Sequence, residues 1–498
     1  MTGPHSLENS EAPVTPHRSP RLWLIPLAVA FSVLLVWVGL GWRARAASAQ
    51  VRSLAVLPLV DLSAQNGAGW LSDGITAGTI EALARIPGLH VAARSSAFAL
   101  QGGGDLAAIG RQLGVTAVLR GSFQTAGGRL QLAVEMDRAA DGYRLWKATF
   151  DRPANEPFEV PQFLAAAIGK RIQLNSPAPP ATRHRPLPAA YDAYLQGREL
   201  FDPSRPQDFD KAVERLEEST RADPEFALAW AWLSIAREYR VAGGKARPNQ
   251  AMPESRDAAE RAVALDNECG EAHLALGIVK LQYDWDWAAA REEFDHAIKI
   301  SPGWAFALEW LAHWFESQGR MEQAMAEVES AAALDPLSAV LQGDVAAGLV
   351  AMNQADRALP FARKAVELAP GDVGLQAALA QTLLFAGQKE EAQKMADAGN
   401  LPAPVRASLA AQLGDRGPAR QLLDEAEDLP DEELLLDVVY VQLAAAIKDW
   451  DRFFPWLEEA HGERDLQLPY LRMSPLMPKS DPRFVEFLTR MNLPASAR

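Results

Sequence analysis

The sequence repeats one pattern in two adjacent stretches, 302-PGWAFALEWLAHWFESQGRMEQAMAEVESAAALD-335 and 336-PLSAVLQGDVAAGLVAMNQADRALPFARKAVELA-369. Each stretch opens on a proline, and Pro370 and Pro404 continue the same 34-residue spacing. Alanines keep this phase as well, at Ala290, Ala324, Ala358 and Ala392. Several columns that share one period indicate an internal structural repeat rather than a chance match.

Further columns indicate what each repeat contains. One column is Phe294, Val328, Ala362 and Ala396, and another is Ala297, Ala331 and Ala365, which ends in Gly399. Gly319, Asn353 and Gly387 occupy a turn position between two apolar helical segments. A 34-residue helix–turn–helix period with small residues where helices cross is typical of tetratricopeptide (TPR) repeats. We therefore predict an all-α TPR solenoid over residues 190–490.

The composition excludes several classes of protein. The chain has 498 residues with 48% hydrophobic content, which is typical of chains that form packed cores. Its net charge of −15 opposes binding to the phosphate backbone of nucleic acids. Cys269 is the single cysteine, so neither an internal disulfide nor a cysteine-based zinc site can form.

The amino-terminal region predicts a membrane anchor. Residues 22–42 carry no charge and are long enough to cross a bilayer, whereas residues 1–21 form a polar tail too short to bury a core. A cleaved signal peptide is the alternative, because Ala-Ser-Ala at 47–49 resembles a cleavage site. The length of the apolar run, followed by Arg43 and Arg45, favours an uncleaved anchor. Arginines flank the run on both sides, so charge alone leaves the orientation open.

Residues 50–174 predict a small α/β domain with a mixed sheet. Strand-like runs lie at 53–59, 90–98, 115–124, 129–137 and 143–151, and helical patterns lie at 70–88, 105–114 and 158–174. Glycine-containing connectors between the last three strand-like runs favour hairpins. A proline-rich linker over residues 175–189 follows. Because the linker contains few apolar residues to bury, we expect few contacts between the α/β domain and the repeats.

Residues 53–174 resemble the amino-terminal domain of the periplasmic protein TolB, which also occurs in flagellar outer-membrane assembly proteins (FlgO-like). The matching stretches are SLAVLPLVDLS, WLSDGITAGTIEALARIPGLHVAARSSAFAL, LGVTAVLRGSF and RLQLAVEMDRAADGYRLWKATFDR. A membrane helix, a TolB-like domain and TPR repeats in this order are similar to the periplasmic half of CadC-type membrane regulators and of some membrane-bound adenylate cyclases. The resemblance implies a single-pass protein of the bacterial inner membrane, with its amino terminus inside and its bulk in the periplasm. In those families an output domain precedes the membrane helix. Because 21 residues precede it here, we expect no output domain.

Motifs for catalysis are absent from the sequence. It contains neither a GxxxxGK[ST] phosphate loop nor an HExxH zinc motif, and the glycines at 102–104 suit a connector. His273, His296 and His313 fall in neighbouring repeats, where a metal site is conceivable, but partly exposed helix histidines are the simpler interpretation. We therefore expect no enzyme activity, no cofactor and no metal.

The repeat phase predicts which residues line the concave side of the solenoid. The first helix of each pair faces inward, and the inward positions are Glu309, His313, Glu316, Gly343, Ala347, Val350, Ala377, Gln381 and Leu384. An acidic rim beside small and apolar residues suits an amphipathic helix or a hydrophobic peptide. The alternative is that the superhelix curls tightly and these residues pack within the array.

Three functions follow from these observations. The first is a membrane-anchored, periplasm-facing scaffold that binds a protein or peptide in the TPR groove. The second is an accessory component of transmembrane signalling that acts through a cytoplasmic partner. The third, a hydrolytic enzyme, lacks a supporting constellation of residues.

Overall fold

The computed structural model describes residues 51–63, 69–100, 104–174, 184–203, 205–428 and 437–494. The polar tail and the predicted membrane helix at 22–42 lie outside these residues. Within them, no helix combines the length and apolar character needed to cross a bilayer. The chain from Arg52 onward forms one compact unit.

One mixed sheet forms the centre of the amino-terminal domain. Its strands are β1 (Ser53–Val56), β2 (Val60–Asp61), β3 (His90–Val91), β4 (Ala117–Ala126), β5 (Arg129–Arg138) and β6 (Arg144–Pro153). The order is β3-β1-β4-β5-β6, and β2 also pairs with β4. The pairs of β1 with β3 and β4 are parallel, whereas β4, β5 and β6 form an antiparallel meander. The predicted mixed sheet is therefore confirmed.

Among the described residues, four α-helices and a short 3₁₀ helix (Pro157–Glu159) accompany the sheet. The α-helices are α1 (Gly69–Ala84), α2 (Arg94–Ala99), α3 (Leu106–Gln112) and α4 (Val160–Ile172). Helix α1 packs against both β1 and α4. The predicted strand over residues 90–98 is wrong beyond Val91, because residues 94–99 form α2 instead.

The remainder of the described chain is helical. Its helices are α5 (Pro188–Leu200), α6 (Phe209–Ala222), α7 (Ala227–Ala242), α8 (Pro248–Leu265), α9 (Gly270–Val279), α10 (Trp287–Ile300), α11 (Ala305–Ser317), α12 (Met321–Leu334), α13 (Ala339–Ala351), α14 (Ala355–Leu368), α15 (Val373–Phe385), α16 (Lys389–Asp397), α17 (Ala403–Leu413), α18 (Gly417–Glu427), α19 (Asp437–Ile447), α20 (Trp450–Gly462) and α21 (Pro482–Arg490). A π-helical turn (Lys280–Asp284) extends α9, and a 3₁₀ segment (Leu468–Met473) lies between α20 and α21. Consecutive helices pair as hairpins, such as α11 with α12 and α13 with α14.

The repeat columns occupy the positions that the 34-residue period predicts. Ala290, Ala324, Ala358 and Ala392 are each at most 1% exposed, because they lie where paired helices cross. Gly319, Asn353 and Gly387 end the first helix of successive hairpins with φ of 69°, 58° and 76°. Left-handed backbone of this kind favours glycine and asparagine. The column continues one period earlier to Trp285, whose φ is 58°, at the end of the π-helical turn.

The amino-terminal domain packs directly on the repeats, so the expectation of few contacts between them is wrong. The backbone N–H of Gly303 donates to the carbonyl oxygen of Ala84 at 3.1 Å, and that of Ala93 donates to Leu334 at 2.8 Å. Helix α1 also packs against α5. The composition of the linker gives no sign of these contacts. The sequence of α1 does, because its apolar residues surround the helix rather than forming one stripe, so the helix needs packing partners on more than one side.

Candidate functional site

The predicted inner positions fall into an enclosed group and an open group. On α11, Glu309 and Glu316 are buried and His313 is half-buried. On α13 and α15, Gly343, Val350, Ala377 and Gln381 are half-buried, Leu384 is buried and Ala347 is exposed. Helix α13 contacts α15, and α15 contacts α17, so these first helices lie side by side.

The three enclosed residues belong to a larger acidic cluster, which we call the α11 cluster: Glu238, Glu309, His313, Glu316 and Asp344. Nδ1 of His313 lies 2.8 Å from a carboxylate oxygen of Glu316. One ring nitrogen of His313 and one oxygen each of Glu309 and Asp344 lie within 4.8 Å of one another. Helix α7 adds Glu238, which is 1% exposed and has no hydrogen-bond partner for Oε2 within the described chain. The fold thereby brings carboxylates from α7, α11 and α13 around one imidazole.

Burial and mutual repulsion set the charge of this cluster. Burial raises the pKa of Glu309 to about 8, and the charge of Asp344 adds to the effect. Burial likewise raises the pKa of Glu238 to about 8 and that of Asp344 to about 6. Burial lowers the pKa of His313, but the charge and hydrogen bond of Glu316 outweigh it, so the pKa rises to about 10. At neutral pH the cluster therefore holds the His313 imidazolium, and Glu309 and Glu238 largely retain their protons.

The carboxy-terminal 3₁₀ segment covers the α11 cluster. The rings of Tyr470 and His313 are 5.7 Å apart, and the Trp310 ring lies 5.3 Å from His313 on the same helix. The arrangement at α11 thus matches the alternative in which inner residues pack within the array. Ala347 on α13, by contrast, has the exposure that a groove position requires.

A second group of ionisable residues joins α9 to α10. Nδ1 of His273 lies 2.6 Å from Glu293, and Nε2 lies 3.0 Å from the carbonyl oxygen of Asn267. Lys280 also donates to Glu293 at 3.1 Å. His296 completes the group with a ring centroid 5.0 Å from that of His273. Since both nitrogens of His273 are occupied and a lysine already neutralises Glu293, this group is a structural ion-pair network.

A cavity of about 140 Å³ lies between α1 of the amino-terminal domain and α5 of the repeats. Its central cation is Arg198, which donates to Glu81 and to the hydroxyl of Tyr194, each at 3.0 Å. The guanidinium also stacks 3.4 Å above the ring of Trp232. Arg94 donates to the carbonyl oxygen of Arg198 at 3.0 Å, which ties α2 to the same wall. The paired charges make this cavity part of the packing between the two regions.

Sequence reasoning missed two members of the α11 cluster. Asp344 lies one residue after Gly343, off the predicted inner column, and Glu238 lies in the more degenerate repeats before residue 290. One signal was available, because Glu309 precedes His313 by one helical turn and shares its helix face. Contacts between α7 and α11, such as the rings of Tyr239 and Trp310 at 6.3 Å, bring Glu238 to the cluster.

Comparisons with known proteins agree with the repeat architecture. The family model described as tetratricopeptide repeat matches residues 349–413. The chain is 29% identical over 252 residues to "Putative adenylate cyclase 3" of Rhizobium meliloti (strain 1021), a match that covers 49% of this chain. The chain spans 42% of the length of that relative.

Solved TPR structures are also similar to this chain. A TPR protein of Thermus thermophilus is 19% identical, with 39% of this chain and 100% of that chain covered and a TM-score of 0.33. PilF of Pseudomonas aeruginosa is 19% identical, with 50% of this chain and 96% of that chain covered and a TM-score of 0.31. The carboxy-terminal region of the present chain contains TPR repeats, as the 34-residue period, the helix pairs and the family model together show. The TolB-like character of residues 53–174 stays a prediction.

Proposed function

We propose that this protein is a membrane-anchored scaffold that binds a protein or peptide partner on the inner face of α13 and α15. The observation that carries the proposal is Ala347, which is exposed on a first helix whose neighbours Ala346 and Gly348 are buried. A small exposed residue on the inner face of a TPR solenoid lets a partner backbone approach closely. We call the surface formed by Gly343, Ala347, Val350, Ala377 and Gln381 the α13–α15 face.

The chemistry of the α13–α15 face favours an amphipathic helix or a hydrophobic peptide. Its residues are small or apolar, apart from Gln381, whose side chain donates to Gln412 at 2.9 Å on the neighbouring first helix. Such a surface favours binding of the apolar side of a partner helix. Ala347→Arg introduces a long cationic side chain into this face. The proposal expects co-purification of the partner to be lost while the array stays folded, and retained binding argues against this face.

For the location of the protein we propose an anchor at residues 22–42 with the remainder in the periplasm. The support is the uncharged run and the order of domains, which is similar to that of CadC-type regulators. Fusions after Ala189 test the topology: alkaline phosphatase should be active there and a cytoplasm-dependent fluorescent protein should be dark. The reverse pattern contradicts the proposed orientation. A mature chain that begins near Gln50 would instead support the signal-peptide alternative.

A second candidate function is an accessory role in transmembrane signalling. It is favoured by the match to a Rhizobium protein whose name is that of an adenylate cyclase, although the match covers 42% of that protein. The two functions differ in whether a cytoplasmic partner is engaged. Deletion of residues 1–21 distinguishes them, because a scaffold that acts outside the membrane should keep its function. Loss of function with normal membrane insertion would favour the signalling role.

A further inference from the structure

We propose that Glu309, His313 and Asp344 form a binding site for one divalent transition-metal cation, with Zn²⁺ as the best-fitting ion. Their ligand atoms lie within 4.8 Å of one another, a separation that one coordinated ion can bridge after small side-chain movements. Glu309 and His313 lie one turn apart on α11, and Asp344 comes from α13. Two carboxylates and an imidazole are a donor set that Zn²⁺ accepts, with one position open to water.

The orientation of His313 supports this assignment. Its Nδ1 is held by Glu316 at 2.8 Å, and Nε2 has no hydrogen-bond partner among the residues that the structure describes. In the imidazolium form Nε2 carries a proton, which a bound metal ion displaces and releases to solvent. A histidine that binds a metal through one nitrogen commonly donates the other N–H to a carboxylate, which fixes the ring and increases its basicity. Glu316, which is 6% exposed, is placed to serve as this supporting carboxylate.

The α11 cluster offers carboxyl oxygens that no hydrogen bond from the described residues occupies and that a cation can coordinate. Glu309 is 7% exposed, and within the described ranges its carboxyl group makes neither a hydrogen bond nor an ion pair. Asp344 Oδ2 and Glu238 Oε2 are buried and also lack a hydrogen-bond partner there. Leaving such groups buried without partners is costly, and a bound cation removes the cost.

The His273 group is the other cluster in the described chain whose ligand atoms are close enough, and it lacks this character. Both nitrogens of His273 have partners, and Lys280 occupies the carboxylate of Glu293. His296 of that group is exposed. His296 is therefore a matched control position, because it is a histidine on a helix near a carboxylate and is not part of the proposed site.

The proposed ion joins two adjacent repeats. It connects α11 to α13 directly beneath the 3₁₀ segment that carries Tyr470. His313 and Asp344 are partly exposed, which gives the ion a route from solvent. Binding should therefore stabilise the placement of α11 relative to α13.

Calorimetric titration of the purified, chelator-treated full-length chain with ZnCl₂ tests the site. We expect one equivalent of Zn²⁺ to bind and to raise the melting temperature. Glu309→Gln and His313→Ala should each weaken binding at least tenfold, and Glu316→Gln should weaken it by about 10–100-fold, as supporting carboxylates do. His296→Ala should bind as the unchanged chain does.

Two measurements keep the test decisive if His313→Ala disturbs folding. Circular dichroism identifies the folded variants, and Glu309→Gln keeps the size and shape of the side chain, so it should melt close to the temperature of the unchanged chain without zinc. The melting temperature of Glu309→Gln should no longer rise when zinc is added. Zinc binding that survives in folded Glu309→Gln, that depends on His296, or that is absent from the unchanged chain overturns the proposal.

Discussion

The carboxylate of Asp335, in the loop between α12 and α13, accepts a hydrogen bond from the backbone N–H of Ser96 at 3.1 Å, across 239 positions of sequence. The hydroxyls of Ser95 and Ser96 donate to the same carboxylate. A repeat residue thus caps the amino terminus of α2 in the other region, where negative charge is favourable. The contact fastens the amino-terminal domain to the solenoid.

Asp335→Ala should destabilise the protein by about 1–3 kcal/mol, because it leaves the buried N–H and hydroxyl of Ser96 without their acceptor. Urea unfolding followed by circular dichroism measures the loss. Asp335→Asn keeps an acceptor oxygen and should cost less than Asp335→Ala. An alanine variant as stable as the unchanged chain would show that this contact does not fasten the two regions.

Adjacent alanines on α13 provide a matched test of which side faces solvent. Ala347→Arg should change the free energy of unfolding by less than about 0.5 kcal/mol, since its position is exposed. Ala346→Arg should cost more than about 3 kcal/mol, because Ala346 is 2% exposed and an arginine there is both too large and buried as a charge. Thermal melts of the two variants measure and compare these losses of stability. Equal losses, or a larger loss for Ala347→Arg, would contradict the α13–α15 face.

Asp437, at the start of α19, should make stability depend on pH. Burial raises its pKa from 3.8 to about 7, helped by the charge of Glu459 and opposed by Arg247. Because the folded state holds this proton more tightly than the unfolded chain, the stabilising contribution is fully present below about pH 4 and is lost as the pH rises through 7.

Asp437→Asn removes this dependence and tests it. The variant should match the unchanged chain near pH 4 and exceed its free energy of unfolding by about 2–4 kcal/mol at pH 8, from the size of the pKa shift. Urea unfolding at the two pH values gives both numbers. A difference that is constant with pH would mean that the Asp437 carboxyl is not the titrating group.

The repeats were predictable because each one has the same local structural requirements at the same positions. Ala324 and Ala358 must be small where helices cross, and Gly319 must adopt left-handed backbone, so these residue types recur every 34 positions. The strands β4, β5 and β6 were predictable because alternating side chains and glycine turns specify a meander locally.

Elements that depend on distant partners were not predictable in this way. Residues 94–99 have a strand-like pattern, yet they form α2, and Asp335 from another region accepts hydrogen bonds at its first turn. Part of the α11 cluster escaped prediction for the same reason, since Glu238 comes from α7, two helix pairs before α11. Contacts of this kind leave no period in the sequence.

Photocrosslinking in living cells tests the central claim, that a partner binds the α13–α15 face, most directly. A photoreactive amino acid is placed at Ala347, and separately at Asp356, which is exposed on the second helix α14. We predict a discrete crosslinked species from Ala347 that is absent from Asp356 and that loses intensity when Ala377→Arg is introduced beside it. Equal crosslinking from both positions, or none from Ala347 in a folded protein, would contradict the account.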